Sequence, residues 1–181
     1  MKITILVVGK TTDLHLNHLI SDYIDRIGHY VPVELKALPE LRNASSLSFE
    51  QQKQAEAEII LRAIDGSAIN SKSSSICKPS TNKSSSFKRN DRVDVILLDE
   101  HGQELGSIEF AHWLEKKQSA SRDLVFVIGG PFGFSEGVYS RASSLISLSR
   151  MTFSHQMIRL LFAEQLYRAM TIIRGEKYHH E

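Results

Sequence analysis

Short β-branched runs alternate with longer stretches of helical periodicity, and this alternation limits the fold more than any other feature of the chain. Ile3–Val8 is continuously apolar, as a strand buried on both faces would be. Asp13 is placed to cap a helix running to about Gly28, with Leu16, Leu19, Ile20, Tyr23, Ile24 and Ile27 on one broad face. Val31–Leu38 alternates and reads as a second strand. Ser48 to Ile64 reads as a helix carrying Glu56, Glu58 and Arg62 outward. Val93–Leu98 is a further strand that ends at Asp99, and Glu100 to Gln103 reads as a turn. A helix begins at Ser107 and carries Phe110, Trp113 and Leu114. Leu124–Ile128 is a fully apolar strand, Ser135 caps a short helix, Ser144–Ser149 is a last short strand, and His155–Arg174 is a long helix. The fold class that follows is α/β, a mostly parallel sheet with helices on both faces. Such sheets bind ligands outside the carboxyl ends of their strands, which singles out the loops after Leu98, Ile128 and Ser149.

One stretch breaks the alternation. Gly66 to Asn90 is rich in Ser, Asn and Lys and nearly free of apolar residues, so it cannot offset its own ordering entropy by burial. The expectation is a single domain over residues 1–181 with a flexible Ser/Lys-rich insertion at 66–90. Its Lys72, Lys78, Lys83, Lys88 and Arg89 could touch RNA, though a solvated linker is the better account of them.

Charge and cysteine usage narrow the function classes. The formal net charge is +1, so the chain lacks the basic excess of a free-standing nucleic-acid binder. Any RNA role must rest on a local patch, on shape, or on pooled surface in a dimer. Cys77 is the single cysteine, which excludes an internal disulfide or a thiolate metal site. The apolar run at the N-terminus is too short for a signal segment or a membrane span, so a soluble cytoplasmic protein with no membrane partner is expected.

Common motifs fail on inspection. Gly9-Lys10-Thr11 has Thr4 where a P-loop needs its first glycine. Gly129, Gly130 and Gly133 do not make a dinucleotide fingerprint, and neither metal-ligand spacing nor a nucleophile elbow occurs. No metal is expected.

What remains is a set of loops. Gly129-Gly130-Pro131-Phe132-Gly133 closes a buried strand with residues that let backbone approach a ligand, or simply make a tight strand-to-helix turn. Leu148 to Phe153 offers main-chain groups beside apolar side chains, a mix suited to an adenine ring. His155 and Arg159 lie four apart on the expected helix, and cations at a helix start run against its dipole, which favours an anionic partner, although a plain surface histidine is the commoner outcome. The helix is apolar on most sides, as if covered by the sheet and by a partner subunit, with Glu164 and Arg168 as an i,i+4 pair.

The chain resembles the ribosomal RNA large-subunit methyltransferase H family, of the SPOUT superfamily of knotted methyltransferases. The resemblance is carried by Met1-Lys2-Ile3-Thr4-Ile5 with Val8-Gly9-Lys10, by Phe126 to Gly130, by Leu148 to Arg159, and by Arg174-Gly175-Glu176 with Tyr178-His179. It covers all but the 66–90 stretch. It implies a homodimer with a C-terminal trefoil knot, S-adenosylmethionine as cofactor, and the assembled ribosome as partner. The implied reaction is methylation of N3 of a pseudouridine in 23S rRNA. It places cofactor contacts on Leu98, Gly129, Leu148, Ser149, Arg150, Met151, Thr152 and Phe153, and it places Tyr178 and His179 at the target base, opposite the partner's cofactor site.

In that frame His179 or His155 would accept the imide proton, Tyr178 would stack on or hydrogen-bond the base, and Arg159 and Arg150 would hold phosphate or the cofactor carboxylate. Two positions depart from the family: Ser154 stands for the usual proline, and His180 for the usual Arg or Lys. The competing readings are a related tRNA methyltransferase, a catalytically silent ribosome-assembly factor and a plain α/β ligand-binding protein.

Overall fold

A computed structural model describes residues 1–41, 47–70 and 92–179. Five strands form one all-parallel sheet in the order β2-β1-β4-β3-β5: β1 Ile3–Val8, β2 Val33–Leu38, β3 Val93–Glu104, β4 Asp123–Ile128 and β5 Ser144–Ser147. Five helices join them: α1 Leu14–Gly28, α2 Phe49–Asn70, α3 Ser107–Ser119, α4 Glu136–Tyr139 and α5 Met157–Arg174.

The apolar strands explain themselves once both faces are covered. Ile3, Ile5, Val7, Ile96, Phe126 and Ile128 point to the side where α1, α3 and α5 pack. Leu6, Val8, Val95, Leu97, Val125 and Val127 point to the side of α2 and α4. Phe126 and Phe162 meet at 4.8 Å in the first layer, and both are sealed from water. Burying one such side chain contributes about 1.5–3 kcal/mol. These two layers confirm helices on both faces of the sheet.

Helix starts follow side-chain chemistry. Asp13 Oδ1 accepts the N–H groups of His15 and Leu16 at 2.8 and 2.9 Å. Ser48 and Gln51 form a reciprocal capping box at the start of α2, with backbone-to-side-chain bonds of 2.9 and 3.3 Å.

Several expected boundaries move. The second strand starts at Val33 rather than Val31, because Pro32 has no N–H and Val31 is tied back to Ile27 O at 3.1 Å. The supposed turn from Glu100 to Gln103 is part of β3, which bulges after Leu98 and pairs a second time with β5 through Gln103 and Glu104. Gly102 makes this possible: a Cβ there would lie 2.5 Å from the Ile146 carbonyl carbon. The last strand stops at Ser147, not Ser149. Ser147 Oγ donates to Ser149 O at 3.0 Å and Ser149 Oγ accepts the Met151 N–H at 2.9 Å, a local turn that peels the chain off the sheet.

Two further corrections bear on the site. The long helix starts at Met157, so His155 is not on it; Ser154 Oγ accepts the Met157 N–H at 3.2 Å, and His155 lies in the turn before the helix. Glu56 does not face outward. It shares an i, i+4, i+8 stripe with Ile60 and Ile64 and is buried with them, while Glu58 and Arg62 do point to solvent and pair at 3.4 Å.

Gly66 to Asn70, the first part of the expected 66–90 insertion, continues α2; the remainder of that insertion, with Cys77, and His180 lie outside the described residues. Among the described residues no helix is long and apolar enough to cross a membrane.

Candidate active site

A cleft of about 450 Å³ opens at the carboxyl ends of β3, β4 and β5. Leu98 closes one wall. Gly129 and Gly130 close a second, and the turn Leu148–Phe153 curls over as the third. Ile128, Phe134, Ile146 and Ile158 make its apolar floor. Of the eight expected cofactor contacts, seven line this cleft: Leu98, Gly129, Leu148, Ser149, Met151, Thr152 and Phe153. Arg150 does not. Its side chain is 90% exposed and its Nε donates to Glu104 at 3.2 Å, which holds it away from the cleft.

His155 lies at the mouth of the cleft and is exposed. Arg159 does not accompany it. The guanidinium is only 1% exposed and donates to Val8 O at 2.5 Å and to Thr11 Oγ1 at 3.0 Å. Burial lowers its pKa, and the carboxylate of Glu40 partly opposes this. The expected anion-binding pair is therefore absent: one member is a surface residue, the other a buried strut. Gln156 reinforces that strut. Its Oε1 accepts from Thr12 N at 3.1 Å, and its Nε2 donates to Thr12 Oγ1 at 2.8 Å. Together they fasten the start of α5, and hence the 148–155 segment, to the loop after β1.

Three carboxylates near the cleft, those of Asp99, Glu100 and Glu56, escaped the sequence reading. Asp99 lines it, with Oδ1 accepting the His101 N–H at 2.9 Å and Oδ2 accepting the Tyr139 hydroxyl at 2.6 Å. Burial and then the Asp99 carboxylate push the Tyr139 phenol up to about 12. Glu56 sits behind the glycine turn, and burial alone pushes its carboxyl above the ordinary range. Its four-residue spacing from Ile60 and Ile64 was the available signal.

Tyr178 and His179 lie elsewhere. Tyr178 packs edge-on against Tyr167 at 4.9 Å, under the guanidinium of Arg168. Its hydroxyl lies 3.5 Å from that of Tyr23 and donates to Glu164 Oε1 at 3.3 Å. The Tyr23 hydroxyl and burial raise the Tyr178 phenol well above its usual range. His179 Nδ1 lies 3.5 Å from Arg168 Nη1, and Arg168 Nε donates to Glu164 at 3.0 Å, which confirms the expected i,i+4 pair. The tail turns back along α5: Tyr178 and His179 meet Glu164, Tyr167 and Arg168 in the middle of the helix, whereas Ile158 in its first turn lines the cleft. At 1.5 Å per residue, Ile158 to Glu164 and Arg168 is about 9–15 Å along the helix.

The family described as Predicted SPOUT methyltransferase matches residues 1–179. The ribosomal RNA large subunit methyltransferase H of Bacteroides fragilis is 46% identical over 182 aligned positions, covering 100% of both chains. Its namesake in Phocaeicola vulgatus is also 46% identical over 100% of both chains, and that of Christiangramia forsetii is 42% identical over 99% of each.

Proposed function

Because this chain belongs to the SPOUT methyltransferase family, we propose that it methylates N3 of a pseudouridine in large-subunit ribosomal RNA, with S-adenosylmethionine as methyl donor. The observation that carries this reading is the meeting of three strand-end loops on one cleft, in a chain alike over its full length to enzymes named for large-subunit ribosomal RNA. The substrate in this reading is the assembled ribosome in the cytoplasm.

The residues present fit the donor. An adenosine needs apolar walls and main-chain hydrogen bonds, which Leu98, Ile146, Leu148 and the two turns supply. The donor's sulfonium is cationic, and the carboxylates of Asp99 and Glu100 line the same cleft. Leu98, Gly129, Leu148, Ser149, Met151, Thr152 and Phe153 would hold it. When bound, it supplies a methyl group already activated for displacement. The protein's work is then to orient the nitrogen, exclude water and remove the imide proton. We assign the proton to His179, the base-stacking contact to Tyr178, and a phosphate contact to the exposed Arg150, with His155 beside the donor at the cleft mouth. Arg159 takes no part in substrate binding; it holds the cleft's third wall.

The tail's place against the middle of α5, with neither Tyr178 nor His179 among the residues that line the cleft, supports a homodimer in which each tail serves the partner's cleft. Met151, Phe153 and Met157 leave an exposed apolar rim by the cleft that a second subunit would cover. We also assign a trefoil knot to the C-terminal part of the single 1–181 domain. In support, residues 148–159 leave the edge strand β5, pass the ends of β3 and β4, and bond to the end of β1.

The test is transfer of label from S-adenosylmethionine to ribosomes that lack the modification, followed by nucleoside analysis. Label in 3-methylpseudouridine of the large subunit is expected. Label confined to tRNA would replace this reading with that of a tRNA methyltransferase. Donor binding without transfer would indicate a silent assembly factor.

A further inference from the structure

Behind the glycine turn lies a carboxyl group that the reaction described above does not use. Glu56 is 7% exposed, on the inner stripe of α2 with Ile60 and Ile64. Its Oε2 is sealed from water and has no hydrogen-bond partner. A buried acceptor without a donor is costly, so each one in a folded chain calls for a reason, and a donor that arrives with the ligand is one.

Only one piece of backbone separates this oxygen from the cleft. A Cβ built on Gly130 would lie 2.5 Å from Oε2 and 2.8 Å from Oε1, so the carboxyl is seated directly against Gly130. Gly130 itself lines the cleft on its other side. The turn is held loosely: the Gly133 N–H reaches Gly130 O at 3.4 Å, long for such a bond. Pro131 has no N–H, so the turn's donors are the amides of Gly129, Gly130, Phe132 and Gly133.

We infer that Glu56 is a positioning residue for the methyl-donor site, its free Oε2 receiving a backbone N–H of the Gly129–Gly133 turn when that turn closes on S-adenosylmethionine. The inference rests on the cleft being the donor site. The side chain does not touch the donor; it fixes the turn that does. The incoming N–H satisfies the orphaned oxygen only in the liganded state, so part of the binding free energy comes from relieving a defect of the empty protein.

Three chains distinguish this role from a structural one: the full-length wild type, Glu56→Gln, which keeps an acceptor oxygen, and Glu56→Met, which fills the space without one. S-adenosylmethionine is titrated into each by calorimetry, and each is melted without ligand. Glu56→Met should bind about tenfold more weakly, the scale of one hydrogen bond. Its unliganded melting temperature should equal or exceed that of the wild type. Glu56→Gln should stay within about threefold of wild-type affinity.

Wild-type binding with Glu56→Met unchanged overturns the inference and leaves the donor site standing. So does Glu56→Gln falling as far as Glu56→Met. A wild type that binds no S-adenosylmethionine overturns the donor site and this inference together. If Glu56→Met does not fold, infrared difference spectra decide: adding S-adenosylmethionine to the wild type should shift a carboxyl band that Glu56→Gln lacks, and no such band refutes the role.

Discussion

Replacing Arg159 by Met keeps a side chain of similar reach while deleting its donors. The native guanidinium donates to Val8 O at 2.5 Å and Thr11 Oγ1 at 3.0 Å, with almost no access to water. Hydrogen bonds from a charged donor contribute about 1.5–3 kcal/mol each. Against this stands the cost of burying the charge, raised by an Nε that has no partner. The apolar stem of Met recovers most of the packing. The balance is a loss of roughly 2–4 kcal/mol, which in a chain of this size lowers the melting temperature by about 5–12 °C. Calorimetry at neutral pH measures it. Arg159→Lys should fall between the two, since one ammonium cannot span both acceptors in the fork geometry. S-adenosylmethionine affinity should fall as well, because Arg159 anchors the segment that walls the cleft. A melting temperature within about 2 °C of wild type would show that the burial cost cancels the bonds, and would refute the strut.

Three other outcomes are expected. Gly102→Ala drives a Cβ to 2.5 Å from the backbone of Ile146, where nothing flexible can yield, so β5 must shift; a loss of about 2 kcal/mol or more and weakened donor binding should appear in melts and titrations. Asp94 is buried against Lys117 at 2.9 Å and against Arg122, and although burial opposes ionisation, the bonds from Arg122 and Lys117 outweigh it and hold the carboxyl below its ordinary range. A depressed folded pKa gives stability that is complete above about pH 4 and is lost as pH falls through the folded value below it. Asp94→Asn should therefore cost about 1–2 kcal/mol at neutral pH, its partly exposed partners limiting the effect, and its denaturation curve should converge on the wild type only in strong acid. Deleting Tyr178–Glu181 should abolish methyl transfer and leave donor binding nearly intact; full turnover in that truncation would remove His179 and Tyr178 from the chemistry.

The strands were visible in the sequence because burial on both faces writes itself as a continuous apolar run. Their order was not. Nothing local says that β4 lies between β1 and β3, since partners as distant as Ile3 and Leu124, or Val93 and Asp123, leave no periodicity. Polar residues hid the continuation of β3: Glu100 to Gln103 looks like a turn until Gly102 is seen against Ile146. Arg159 was misjudged for the same reason of distance, its acceptors lying 148 and 151 residues away. Glu56 reads as outward because charged residues seldom face a core, although its spacing with Ile60 and Ile64 puts it on the buried stripe. The cleft was anticipated because strand ends and glycine turns are local features. The separation of cleft and tail comes only from the family resemblance, because the path of α5 and the tail is a tertiary fact.

That separation has a genetic meaning. If each tail serves the other subunit's cleft, a chain with a ruined cleft and a chain with a ruined tail are both inactive alone but can complement one another. In their mixed dimer, the intact cleft of one faces the intact tail of the other. Random pairing of equal amounts makes half the dimers mixed, each with one working site of two, so about a quarter of wild-type activity should return. A tail that serves its own cleft would return none.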